Sequence, residues 1–229
     1  MTPRRYAIYY LPPQDASWAR LATAWLGWDC LAGAMMAPPE VGLPHDVIRT
    51  VTETPRRYGL HATLKPPFRL ADGLKEAELV DVCATLAERC KVAKADGLSL
   101  ARLGRFFALR PDGDQTGINA LASACVTELD EFRASATEAE VAKRRQSNLS
   151  PKQDAHLLRW GYPYVLDQFR FHITLTQRLA EPERFRVETT LQEHLAPLLP
   201  RPFEITHISL AGEDAEGRFH HLQSFPLGE

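Results

Sequence analysis

An α+β fold made of a duplicated β-α-β-α-β-β unit is what this sequence predicts, on three observations. Strand-like and helix-like patterns alternate along the chain, and the order of the first half recurs in the second. His-x-Thr-Leu occurs twice, at His61 and His172, each time inside a short apolar run that reads as a strand. The interval separating these histidines also carries Tyr6 to Gly117, where the second unit would begin. The lobes are expected at 1–113 and 114–229, as parts of one bilobal domain.

Taken in order, residues 5–11 are rich in Tyr and Ile and stop at Pro12-Pro13, which reads as a strand. Asp15 stands as the N-cap of a helix running to about Gly27, with Trp18, Leu21, Ala22 and Trp25 on one face. A Pro-rich irregular stretch over 31–44 leads to a short helix at 46–52. The first motif strand follows, closed by Pro66-Pro67. Leu79, Val82, Cys83, Leu86, Ala87 and Cys90 keep helical spacing and predict a helix over 75–94, ended by Gly97. Segments 98–103 and 106–109 predict a hairpin stopped by Pro111-Asp112-Gly113. The second unit is then expected as a strand at 118–122, a helix at 124–133 and an irregular stretch at 143–168. The second motif strand, a helix at 182–198 and strands at 203–211 and 218–225 complete it.

Composition narrows the function. A 229-residue chain can bury a sizeable core, and 45% hydrophobic with 24% charged residues describes a folded globular protein. The net charge of −2 leaves no electrostatic footprint for tight duplex binding. Basic runs at Arg4-Arg5, Arg56-Arg57 and Lys143-Arg144-Arg145 read as solvated surface; Arg56-Arg57 is the one to watch, being just upstream of His61. Cys30, Cys83, Cys90 and Cys125 include no C-x-x-C spacing, so zinc-ribbon and thioredoxin-type sites lack support. The N-terminal apolar stretch is too short for a signal peptide, and no run reaches the length of a spanning helix. The expectation is a cytoplasmic protein with no membrane partner and undetermined oligomeric state. Neither a P-loop, a G-x-G-x-x-G turn nor a G-x-S-x-G elbow is present.

The repeated motif carries the chemistry. Alternation on a strand puts His61 beside Thr63 and His172 beside Thr174, so each motif presents one imidazole and one hydroxyl to a common face. If a pseudo-twofold axis relates the halves, both faces can line one groove. Two imidazoles suit phosphoryl chemistry without a metal, one accepting a proton and the other donating one. Threonine hydroxyls can donate to the non-bridging oxygens of a phosphate. The same parity adds Arg170 and Thr176 from the second strand, and Gly59 and Lys65 from the first, with Arg170 the best cation for phosphate. Tyr6 and Tyr9 fall on opposite faces of the first strand, so at most one looks into the groove; Tyr9 is the candidate.

One His-x-Thr-Leu alone would carry little weight, and His207-Ile208-Ser209-Leu210 matches the relaxed pattern a third time. Position favours His61 and His172, which occupy equivalent places in the repeat, and leaves His207 a supporting role at most. A zinc site on His61, His172 and His207 finds no support in the spacing.

"RYAIYYLPP" from Arg5, "YGLHATLKPPF" from Tyr58 and "FRFHITLTQRL" from Phe169 resemble the two-histidine (2H) phosphoesterase superfamily, which includes cyclic nucleotide phosphodiesterases and 2′-5′ RNA ligase-like enzymes. The similarity is greatest to a branch whose genes lie beside phosphonate-utilisation operons. That resemblance implies two antiparallel sheets lining a central cleft, with helices outside. It assigns His61 and His172 as acid and base and Thr63 and Thr174 as phosphate binders, with no cofactor or metal. The expected activity is hydrolysis of a cyclic phosphodiester on a small phosphorylated sugar or nucleotide. A non-enzymatic RNA- or phospho-ligand-binding module, or an RNA ligase-like enzyme, is the alternative; RNA is the less favoured partner because extended contacts need many cations.

Overall fold

Alternation along β1 (Tyr6–Tyr10) sets the two sides of the molecule. Tyr6, Ile8 and Tyr10 enter a large core beneath the helices, whereas Ala7 and Tyr9 enter a smaller cluster with Trp28, Cys30 and Phe219 on the opposite face. The computed structural model, which describes residues 2–228, places this wholly buried strand inside a seven-stranded sheet.

Helix α1 (Ser17–Leu26) buries Trp18, Ala22 and Trp25, and Leu21 packs at the margin of the same core. Its start differs from expectation: Ala16, not Asp15, is the N-cap, and no side chain caps the helix. A small hairpin, β2 (Trp28–Asp29) and β3 (Ala34–Met35), interrupts the stretch expected to be irregular. Helices α2 (His45–Val51) and α3 (Glu53–Arg56) then lead to β4 (Ala62–Phe68). β4 runs through Pro66-Pro67 instead of ending there. Its far edge is paired only at Ala62, and on the β1 side both prolines fall in a register shift, so their missing N–H groups interrupt no regular ladder.

Helix α4 (Glu76–Arg89) stops short of the predicted end because Ala93–Ala95 is drawn off as β5, which pairs with β9 (Phe203–Ile205). Strands β6 (Gly97–Leu103) and β7 (Phe106–Asp112) form the expected hairpin, with Pro111 inside β7 opposite Leu98. Residues 118–122 are not a strand; they belong to α5 (Thr116–Glu128). Ile118, Leu121, Ala122, Cys125 and Val126 are all buried, which is the i, i+3, i+4, i+7, i+8 stripe of a helix. The stretch 143–168, expected to be irregular, holds the end of α6 (Glu138–Arg145) and all of α7 (Pro151–Trp160). Both helices open on capping boxes, Thr137 with Glu140 and Ser150 with Gln153. After β8 (Ile173–Thr174), helix α8 (Glu183–His194) leads to the terminal strands β10 (His207–Glu213) and β11 (Phe219–Pro226).

The sheet order is β11-β10-β1-β4-β8-β7-β6, with antiparallel pairing throughout. Its halves mirror each other: β1 lies between β10 and β4, and β7 lies between β6 and β8. The two sheets expected from the repeat thus meet as halves of one, joined at the single pair Ala62↔Ile173. Residue 113 does not divide them, since β6 and β7 from before it pair with β8, and β10 and β11 from after it pair with β1. The counterpart of β1 is therefore β7, and Gly117 lies in α5. Register sets Thr63 opposite Tyr9 and Thr174 opposite Ala108.

Candidate active site

Each motif histidine stands one residue ahead of its strand, where the chain enters the middle of the sheet. The central pair Ala62↔Ile173 sets the motifs side by side, and His61, Thr63, His172 and Thr174 all line one cleft of about 470 Å³.

The two rings are tethered alike. Nδ1 of His61 lies 3.0 Å from the Gly59 carbonyl oxygen, and Nδ1 of His172 lies 2.8 Å from that of Arg170. A carbonyl only accepts, so Nδ1 carries the hydrogen and donates, which leaves Nε2 of the neutral ring with its lone pair available. Gly59 is needed for this turn. Its φ is +68°, and a Cβ there would stand 3.0 Å from Cys30 Cβ and 3.1 Å from the Trp28 carbonyl oxygen.

Surroundings distinguish the rings. His61 packs against Tyr9 at 4.2 Å and Tyr58 at 5.5 Å between ring centroids, whereas His172 has Phe106 at 6.2 Å. Burial drives the His61 imidazole down to about 4, opposed by the Gly59 carbonyl and reinforced by charge on His172.

The other expected site residues divide. Arg170 lines the cleft, its Nη1 donating to the carbonyls of Asp167 and Phe169. Tyr9 lines it too, although its ring is fully buried and its hydroxyl has no hydrogen-bond partner among the described residues. Thr176 forms part of the wall, but its Oγ1 accepts from the Phe107 N–H at 3.0 Å and donates to the Gln177 carbonyl at 2.9 Å, so the hydroxyl is spent on backbone. Lys65 is a correction. Its amine is buried on the core side, donating to the Val126 carbonyl at 2.9 Å with Asp130 at 3.9 Å. Tyr9 pairs with Thr63 while Ile8 pairs with Lys65, so β4 carries one extra residue in between, and this bulge turns Lys65 to the opposite face.

Arg56, the cation to watch, instead ties α3 to the carbonyls of Leu26 and Arg49. His207 donates to the Leu11 carbonyl and is no part of the cleft. Parity reasoning missed Arg5, Tyr58, Arg144, Tyr162 and Gln168, all of which line the cleft. Tyr58 precedes the first motif by three residues, and Arg144 lies in a basic run read as solvated. Neither carries a local pattern that points inward.

The family profile described as "Protein of unknown function (DUF1045)" matches residues 63–220, most of the chain and all of the second motif. The chain belongs to the DUF1045 family. This DUF1045 chain is 36% identical over 229 residues to a protein of Janthinobacterium sp. (strain Marseille) named ribose 1,5-bisphosphate phosphokinase PhnN, covering 97% of itself and 51% of that protein. It is 38% identical over 179 residues to a protein of the same name from Laribacter hongkongensis (strain HLHK9), covering 77% and 41%. It therefore spans about half the length, or less, of these curated relatives. Similar solved structures include that of a phosphoesterase, at 16% identity and a TM-score of 0.46 over 99% of this chain and 100% of that one. Another is E. coli LigT complexed with NADP+, at 17% identity and a TM-score of 0.44 over 100% of each.

Proposed function

We propose that this chain is a 2H-type phosphoesterase that hydrolyses a cyclic phosphodiester on a small phosphorylated sugar or nucleotide, in phosphonate breakdown, with no metal needed. The observation that carries the proposal is the pair of equally tethered imidazoles on one cleft, each with a threonine two residues on. His61, kept neutral by burial, is the base. Its Nε2 takes a proton from water as the water oxygen bonds to phosphorus. The bond from phosphorus to one ring oxygen breaks, and His172, protonated, gives that oxygen its proton. One water is added and a phosphomonoester results; proton exchange through solvent restores both rings. Thr63 and Thr174 donate to the non-bridging oxygens, where charge builds up. Arg170 offers a further cation on the His172 side, and Tyr9 fixes the plane of His61.

The relatives' name, with a ribose bisphosphate in it, supports a phosphorylated pentose as the chemical class. Their kinase activity is not carried over, because this chain holds no G-x-x-x-x-G-K-[ST] loop and spans only about half of them. The test is turnover of a panel of cyclic phosphates by purified protein in EDTA. Turnover is expected in chelator, and loss of either histidine should lower it by about 10²–10⁴-fold. Unchanged turnover after both substitutions would sink the proposal. Salt titration of single-stranded RNA binding checks the alternative: steep loss of affinity with salt would favour a binding module.

A further inference from the structure

The cleft is more cationic than a single phosphodiester requires. Arg5, Arg144 and Arg170 line it together with both histidines, and no aspartate or glutamate does, in a chain whose acidic residues outnumber its lysines and arginines by 29 to 27. Arg5 is neutralised by Glu213 through two contacts of 2.5 and 2.6 Å. Among the described residues neither Arg144 nor Arg170 is paired with a carboxylate. Arg170, which lines the cleft two residues from His172, is the cation taken for the reacting phosphate in the reading above. A cyclic phosphodiester bears one negative charge, so Arg144 is left over.

Its setting is specific. Arg144 lies in the last turn of α6, where basic side chains suit the helix dipole, but Lys143 and Arg145 share that turn and do not line the cleft. Arg145 is instead held by Asp154 at 2.7 and 2.8 Å. The Arg144 guanidinium sits over the Tyr162 ring, 4.7 Å from its centroid, and Tyr162 packs edge-on against Tyr164 at 5.8 Å. Both tyrosines line the same cleft. A planar cation set against a tyrosine ring, with no carboxylate partner among the described residues, matches a phosphate monoester.

Resting on the phosphoesterase reading, we propose that the substrate is a cyclic phosphodiester bearing a second, terminal phosphate, and that Arg144, backed by Tyr162, is the specificity residue that takes it. The experiment compares 2′,3′-cyclic AMP with its 5′-phosphorylated form on wild type, Arg144→Ala, Arg144→Lys and Arg145→Ala, by kcat/KM and by calorimetric Kd. Wild type and Arg145→Ala should prefer the 5′-phosphorylated compound by at least about tenfold, the scale of a charge-assisted contact. Arg144→Ala should bring that preference to within about twofold, and Arg144→Lys should keep part of it. No preference in wild type, a preference that survives Arg144→Ala, or one lost equally in Arg145→Ala would each overturn the assignment. If wild type hydrolyses neither compound, the catalytic reading is judged on the panel of cyclic phosphates described above, separately from the subsite. The Kd ratio then decides the subsite: a preference lost in Arg144→Ala upholds it, and equal or absent binding removes it.

Discussion

The two His-x-Thr-Leu segments begin from the same four-residue pattern and end in different surroundings. Around His61 the strand is seven residues long, the cross-strand neighbour of Thr63 is Tyr9, and a second tyrosine, Tyr58, also packs against the ring. Around His172 the strand is two residues long, the neighbour of Thr174 is Ala108, and the residue whose carbonyl holds the ring is Arg170 instead of Gly59. Identical backbone tethers fix both neutral rings in the same tautomer, while closer packing at His61 lowers the proton affinity of that ring. On the proposed reading, this difference is what lets a duplicated motif supply a base and an acid.

The largest test of this asymmetry is loss of either ring. His61→Ala and His172→Ala should each lower kcat/KM by about 10²–10⁴-fold, and the double variant should fall little further because the rings act as a unit. Removing one hydroxyl, by Thr63→Val or Thr174→Val, should cost about 10–100-fold, measured as kcat at saturating substrate. Gly59→Ala forces a left-handed backbone and a clash with Cys30. It should cost about 1–3 kcal/mol in urea unfolding and disturb the His61 tether as well.

A subtler change converts one half toward the other. Tyr9→Leu thins the wall beside His61, readmits water and should raise the pKa of that ring from about 4 toward the ordinary value, roughly 6.5. The acid limb of kcat/KM should move to higher pH with it.

The smallest effect on turnover is expected for Lys65→Met, which touches no cleft surface and should leave activity unchanged. Burial lowers the Lys65 amine to about 8 in the folded chain, against about 10.4 unfolded. Between those values the unfolded chain binds more protons, so wild-type stability should rise with pH across that window relative to Lys65→Met. Pulse proteolysis or urea midpoints at pH 7 and 10 would show it.

Much of this was legible in the sequence. The motif strands, α1, α4 and the β6-β7 and β10-β11 hairpins follow from apolar period and from proline and glycine punctuation. Parity, a local rule, sets each motif histidine beside its own threonine, and the choice of His61 with His172 over His207 follows from their places in the repeat. The misread parts lie where non-local facts decide. Residues 118–122 were expected as a strand because a uniform repeat interval required one, although Ile118, Leu121, Ala122 and Cys125 keep helical spacing. Lys65 was assigned to the cleft by counting alternate residues, and an inserted residue in β4 reverses the count. Arg144 and Tyr162 reach the cleft from α6 and the loop after α7. α6 buries nothing and α7 only Leu157, so neither shows an apolar stripe; their capping boxes at Thr137 and Ser150 were the available signals.

The central claim is that the two imidazoles share one small space, and it can be tested without any substrate. Histidine ring signals of the free protein, followed by NMR from pH 3 to 8, should give His61 a pKa of about 4. His172→Ala should raise that value, since a neighbouring positive charge is removed. Titration of His61 near 6.5, indifferent to what stands at position 172, would contradict the account.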